Sequence, residues 1–156
     1  MIRNTLFIAV MLLAGKGALA DDATTLREVR TVYVDSFGPA EGADLIREKV
    51  INRIVKGGKL SLVETRESAD AVLTGIGEIS KGVRYSASAG QYGGSASGGT
   101  RYDATLVVRL VGKDKKILWV EEAKPGFMTG SVSSSVADKV VRNLLKAIEK
   151  DVKAKR

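Results

Sequence analysis

Side chains able to do chemistry are scarce in this sequence, and the scarcity is specific. None of the 156 residues is His or Cys. The commonest general base and metal ligand is therefore missing, and so is the thiol nucleophile. Serines are plentiful, but no Gly-x-Ser-x-Gly elbow occurs and a His-based triad cannot be assembled. Paired carboxylates could still serve as acid and base. Glu121 and Glu122, however, are neighbours on a predicted strand and face opposite sides. Asp21 and Asp22 fall in a loose N-terminal lead-in, and Asp70 precedes a strand, where it suits a turn. Gly57-Gly58-Lys59 lacks the spacing and the following Ser or Thr of a phosphate loop, so it reads as a helix stop. Gly93-Gly94 and Gly98-Gly99 have no helix start behind them. The residues point to no catalytic site, no metal centre and no cofactor, and hence to a protein that is not an enzyme.

Binding is left as the chemistry to look for. Gly82 to Thr100 (GVRYSASAGQYGGSASGGT) is mostly Gly, Ser and Ala. Such a composition builds no packed core and reads as a long loop, mobile or ordered by a partner. Tyr85, Gln91 and Tyr92 within it, and Tyr102 just after it, are the candidate partner contacts. Val83, Tyr85, Ala87 and Ala89 alternate with Arg84, Ser86, Ser88 and Gly90. A membrane strand needs about 9–11 residues with a clear apolar face. Alanine and glycine make a weak one, so contact with a membrane stays open but spanning is not expected.

The N-terminus carries an address. Arg3 supplies a positive n-region, Thr5 to Gly15 (TLFIAVMLLAG) an apolar run, and Ala18-Leu19-Ala20 the small-x-small pattern cut before Asp21. The apolar run ends at Lys16, short of the roughly 20 residues of a spanning helix. Residues 1–20 therefore read as a cleavable signal peptide. The predicted location is the periplasm, with secretion as the alternative. No Cys follows the cleavage point, which removes a lipoprotein anchor, disulfides and thiolate metal sites together. The remainder, Asp21 to Arg156, has the size of one α/β domain. The chain carries +7, or +5 without Arg3 and Lys16. Much of the excess lies in the tail from Lys146, where basic residues also suit a helix C-terminus. Export, together with few aromatics not interleaved with a basic stripe, argues against nucleic acid.

The elements that would position any site follow from periodicity. Val29 to Asp35 reads as a strand, with Val32 and Val34 on its core face. Ala40 to Lys56 reads as a helix, its stripe made by Ala43, Ile46, Val50 and Ile54. Leu60 to Glu64 and Ala71 to Ser80 are strands, and Gly75 and Gly77 inside the second allow a bend or a closely packed helix. Tyr102 to Val111 alternates cleanly and returns through Lys116 to Glu122 as a hairpin, with Trp119 a core or helix-contact residue. A last helix starts near Ser133 to Ser135, where Ser135 and Asp138 resemble a capping box. Its apolar stripe is Val136, Val140, Leu144, Ile148 and Val152. The order is β-α-β-β-β-β-α. This predicts an α+β two-layer sandwich of about five mainly antiparallel strands with two helices on one face. The other sheet face is then partly bare.

The run Val32-Tyr33-Val34-Asp35-Ser36-Phe37, then Ala69-Asp70-Ala71-Val72-Leu73-Thr74-Gly75, then Leu118-Trp119, resembles the small periplasmic α/β domains of bacterial envelope proteins. These include the TolB amino-terminal domain, CsgG, LptE and LpoB. The resemblance covers the layout of nearly the whole mature chain and implies binding and assembly roles without catalysis. The lipoproteins of that group carry an acylated Cys that this chain lacks, which implies a free periplasmic protein.

The expected function is a non-catalytic envelope module. It would contact a protein partner or itself through the open sheet edge and the 82–100 loop. The alternatives are a carrier of a small molecule, glycan or lipid in a pocket between helices and sheet, and an oligomeric pore-forming or structural envelope component.

Overall fold

The protein is described here from a computed structural model, covering residues 24–90, 93–125 and 131–154. After a short 3-10 turn at Leu26–Glu28 come β1 (Thr31–Val34), α1 (Ala43–Gly57), β2 (Ser61–Leu62), β3 (Ala71–Gly90), β4 (Gly93–Gly112), β5 (Ile117–Ala123) and α2 (Val132–Lys153). This is the β-α-β-β-β-β-α order of an α+β sandwich. The five strands form one sheet in the order β2-β1-β3-β4-β5. β1 pairs in parallel with β2 and with β3, while β3–β4 and β4–β5 are antiparallel. The antiparallel ladders are much the longer, so they dominate the sheet.

Alternation decides which face is covered. Val32 and Val34 of β1, Ala71 and Leu73 of β3, and Ala104, Leu106, Val108 and Leu110 of β4 are all buried. They share one face because strand side chains alternate. Both helices lie on that face, α1 against β2 and β3, α2 against β4 and β5. α1 contributes Ala43, Ile46, Val50 and Ile54, and α2 contributes Val136, Val140, Leu144 and Ile148, the stripes set by their spacing. These residues join one hydrophobic cluster, onto which Trp119 packs from the position opposite Leu110. Each fully buried Val, Leu or Ile contributes about 1.5–3 kcal/mol.

Two glycine positions carry this packing. A Cβ on Gly77 would sit 3.3 Å from Ile46 Cδ1 and 3.5 Å from Phe37 Cβ, so its absence lets α1 lie close on the sheet. Of the two readings of the β3 glycines, close helix packing is the one seen at Gly77. Gly58 closes α1 in the left-handed region at φ 63°, the helix stop that Gly57-Gly58 predicted.

Two expectations need correction. Of the expected 82–100 loop, residues 82–90 and 93–100 are strand, and β3 and β4 pair without interruption from Ala71↔Gly112 to Gly90↔Gly93. Composition misled because Gly and Ser lower strand propensity. Residue-by-residue pairing to a partner of the same kind supplies the backbone hydrogen bonds instead. The helix α2 is capped by Ser131, whose hydroxyl accepts from the Ser134 amide at 3.3 Å, and not by a Ser135–Asp138 box. Ser135 already lies inside the first turn, where its own amide donates to the Ser131 carbonyl.

Candidate functional site

The inner edge of β3 stays attached to the rest of the fold as far as Ile79. The Gly77 amide donates to the Phe37 carbonyl and the Ile79 amide to the Glu41 carbonyl, both at 2.8 Å. From Lys81↔Tyr102 to Gly90↔Gly93, ten residue pairs, each strand has only the other as its ladder partner among the described residues. The result is a two-stranded ribbon about 33 Å long at ~3.3 Å per residue. Every ribbon residue whose burial is described is exposed. A lone two-stranded ribbon is marginal in water. One local contact supports it: the Tyr85 ring lies over Gly98, its cross-strand partner, with Cε1 3.6 Å from where a Gly98 Cβ would be.

Alternation continues the core face of the sheet into the ribbon, past the last helix contact. Val83, Tyr85 and Tyr102 lie on that side and are 67%, 84% and 53% exposed. Tyr102 stands opposite Lys81, and Tyr85 lies four residues further out, about 13 Å away along the strand. The fold thus puts two predicted contact residues, Tyr85 and Tyr102, on one face without bringing them together. Gln91 and Tyr92 lie outside the described residues. So do Ala18, Ala20 and Asp21 of the expected cleavage site.

The helix-free face is the second open surface. Ile76 pairs directly with Val107, and Arg109 lies between Thr74 and Val120. Ile76, Val107, Val120 and Ile117 are all exposed. They form an apolar patch with Arg109 inside it. β5, the outermost strand, pairs only with β4 among the described residues, and Ile117–Ala123 contains neither Pro nor Lys. Its Glu121 and Glu122 charge one end of this edge, while Ile117–Val120 carries no charge, and a free edge of that kind offers its backbone to another strand. Val107 and Arg109 share the face of β4 opposite Leu106, Val108 and Leu110, and the burial of those three leaves them away from the core. No pattern was drawn for Ile76, because the glycines flanking it interrupt the apolar period.

Polar side chains mainly hold strands in place. The Asp70 carboxylate accepts from the Thr31 amide at 2.9 Å and the Arg30 amide at 3.0 Å, while the Asp70 amide donates to Thr31 Oγ1 at 2.9 Å. Lys113 Nζ stands 3.6 Å away. Burial pushes the Asp70 carboxyl up, but the Thr31 and Arg30 amides, the Thr31 hydroxyl and the Lys113 charge together outweigh it and hold it below its usual value. Arg47 on α1 donates from Nη2 to the Val34 carbonyl at 2.8 Å and from Nε to the Asp35 carbonyl at 3.1 Å, closing the end of β1. Arg47 is not on the apolar stripe of α1, and only the tertiary fold brings it to those carbonyls. The Asn143 amide of α2 donates to Glu121 of β5 at 2.8 Å. Among the described residues no group of three His, Cys, Asp or Glu is placed to hold a metal ion.

No protein-family model matches the chain. No curated protein matches it either. Among solved structures it is similar to a dodecamer of a PelC variant from Paraburkholderia phytofirmans, at 14% identity and a TM-score of 0.45. That match covers 80% of this chain and 88% of the other. A likeness this low carries nothing over to the present protein.

Proposed function

We propose that this protein is a non-catalytic, exported binding or assembly module of the bacterial cell envelope. It engages a protein partner, or a second copy of itself, through the β3–β4 ribbon and the adjoining bare sheet face. The observation that carries this reading is the ribbon. It leaves Val83, Tyr85 and Tyr102 exposed on the side that carries the helices further along the sheet. A contiguous exposed apolar strip marks an interaction surface. The signal-like N-terminus supports export to the periplasm, and the lack of His and Cys supports a role without catalysis.

The register supplies a clean test. The Gly77 and Ile79 amides point away from β4, so by alternation Gly82 and Arg101 form a hydrogen-bonded pair, and Val83–Thr100 can be replaced by Asn-Gly, which closes the shortened hairpin with a two-residue turn. Cross-linking in the native envelope should capture a partner or a second copy with the full chain and lose it with the shortened one. Unchanged cross-links would sink the proposal. Fractionation of cells should find the protein in the periplasm.

One observation favours a second reading, insertion of the ribbon into a membrane by an oligomer. Its ten pairs match the ~9–11 residues of a membrane strand. Two strands leave open edges, so several copies would have to close a barrel. Release of a dye from lipid vesicles by the full chain, but not by the shortened one, would support it.

A further inference from the structure

At the end of the molecule away from the ribbon, α1 stops at Gly58 and the chain passes through Lys59 and Leu60 into β2. The last turns of α2 lie alongside. Between them is a cleft of about 370 Å³. Leu60, Leu145, Ile148 and Val152 make its apolar lining, and Arg30 and Lys153 stand at its rim. A hollow of about 400 Å³ continues from it past the Lys59–Glu149 ion pair, whose two residues line both, and carries Arg142 and Lys146. Lys59 and Glu149 neutralise each other. Lys153 also acts on the Glu149 carboxylate, but the cleft still sets three cations, Arg30, Lys59 and Lys153, against that one carboxylate, so its rim carries excess positive charge.

The two properties together define a ligand. A volume of a few hundred Å³ with an apolar lining and a few polar groups is the general form of a small-molecule site. The apolar lining gains nothing from a bare inorganic anion, and the unneutralised cations gain nothing from a neutral hydrocarbon. We infer that this cleft binds a single-chain anionic amphiphile, its chain on Leu60, Leu145, Ile148 and Val152 and its anionic head between Arg30 and Lys153. The site is separate from the ribbon, and the inference stands independently of the function proposed for that surface.

The test is calorimetric titration of the protein, expressed from its full-length gene, with sodium laurate, with dodecanol and with inorganic phosphate, each below its aggregation limit. Laurate should bind, dodecanol should bind about tenfold more weakly, and phosphate should not bind. The variant Arg30→Gln/Lys153→Gln should lose about tenfold in laurate affinity, as expected for two exposed charge contacts, and nothing for dodecanol. Val152→Asn, at a partly exposed position, should weaken laurate and dodecanol alike. The chain shortened by replacing Val83–Thr100 with Asn-Gly should keep its laurate affinity, which separates this site from the ribbon. The inference is overturned by no laurate binding, by equal affinity for laurate and dodecanol, by phosphate binding as tightly as laurate, or by unchanged laurate binding in the double charge variant.

Discussion

Strands β3 and β4 are each twenty residues long, and their two halves sit in opposite surroundings. In the inner half, Ala71, Leu73, Ala104, Leu106, Val108 and Leu110 are buried under α1 and α2. In the outer half, no residue whose burial is described is buried. Hydrogen-bond pairing is the same in both, in one unbroken register. The contrast separates two roles that a strand usually combines. The inner half holds the domain together through burial, which scales with apolar area removed from water. The outer half removes little from water within its own chain, so its small residues and its two tyrosines are not explained by the stability of the domain. Contact outside the chain is the use proposed for them above.

The comparison can be broken or sharpened by substitution. The largest effect is expected at Leu106, fully buried under the helices. Leu106→Ala should cost about 2–5 kcal/mol in denaturant unfolding, through lost burial and a residual cavity. Replacing Val83–Thr100 by Asn-Gly removes far more chain but should change stability by less than about 1 kcal/mol, since none of the removed residues whose burial is described is buried. A large loss in that variant would show that the ribbon supports the core, and the contrast would fail.

Next in size is Gly77→Val, still on the inner half. It drives a side chain toward Ile46 and Phe37 and should cost about 1–3 kcal/mol by overpacking. The same change at Gly99, with open space around it, should be near neutral.

Asp70 gives an acid-dependent version of the test. Its carboxyl is held below the usual value in the folded state. The stabilisation is therefore fully present above the unfolded pKa of about 3.9, and is lost as pH falls through the folded value. Asp70→Ala should cost about 1–2 kcal/mol near neutral pH by leaving the Thr31 and Arg30 amides without their acceptor. Thermal unfolding from pH 6 downward should show a shallower acid loss in that variant than in the parent. Equal slopes would remove Asp70 as the linked group.

The smallest expected effect on stability is at Tyr85, whose ring covers only Gly98. Tyr85→Ala should change stability by no more than about 0.5 kcal/mol, while lowering the yield of ribbon-dependent cross-links. A stability loss comparable to that of Leu106→Ala would contradict the division drawn here.

Much of the helix-covered half was legible in the sequence. The stripes Ala43–Ile46–Val50–Ile54 and Val136–Val140–Leu144–Ile148 have a period that only a one-sided helix satisfies, and they are the faces found buried. The clean alternation from Tyr102 to Val111 put Leu106, Val108 and Leu110 on one face, and the structure shows that face to be the buried one. The ribbon was not legible, because Gly, Ser and Ala carry neither a period nor a strong strand preference, and they read as a loop. Of the candidate contact residues, Tyr85 and Tyr102 stood out as large aromatics in a small-residue setting. Their placement on one face depends on a register that composition cannot reveal.

By itself the sequence determined the element order, the core faces of both helices and the absence of imidazole and thiol chemistry, since these depend on residue type and local period. Tertiary structure alone decided three other things. It extended β3 and β4 into a ribbon, it brought Arg47 and Asp70 to the ends of β1, and it opened a basic-rimmed cleft between Leu60 and the end of α2. Each of these needs groups far apart in the chain to meet. Pairing and packing fix such meetings, and no local pattern of residues encodes them.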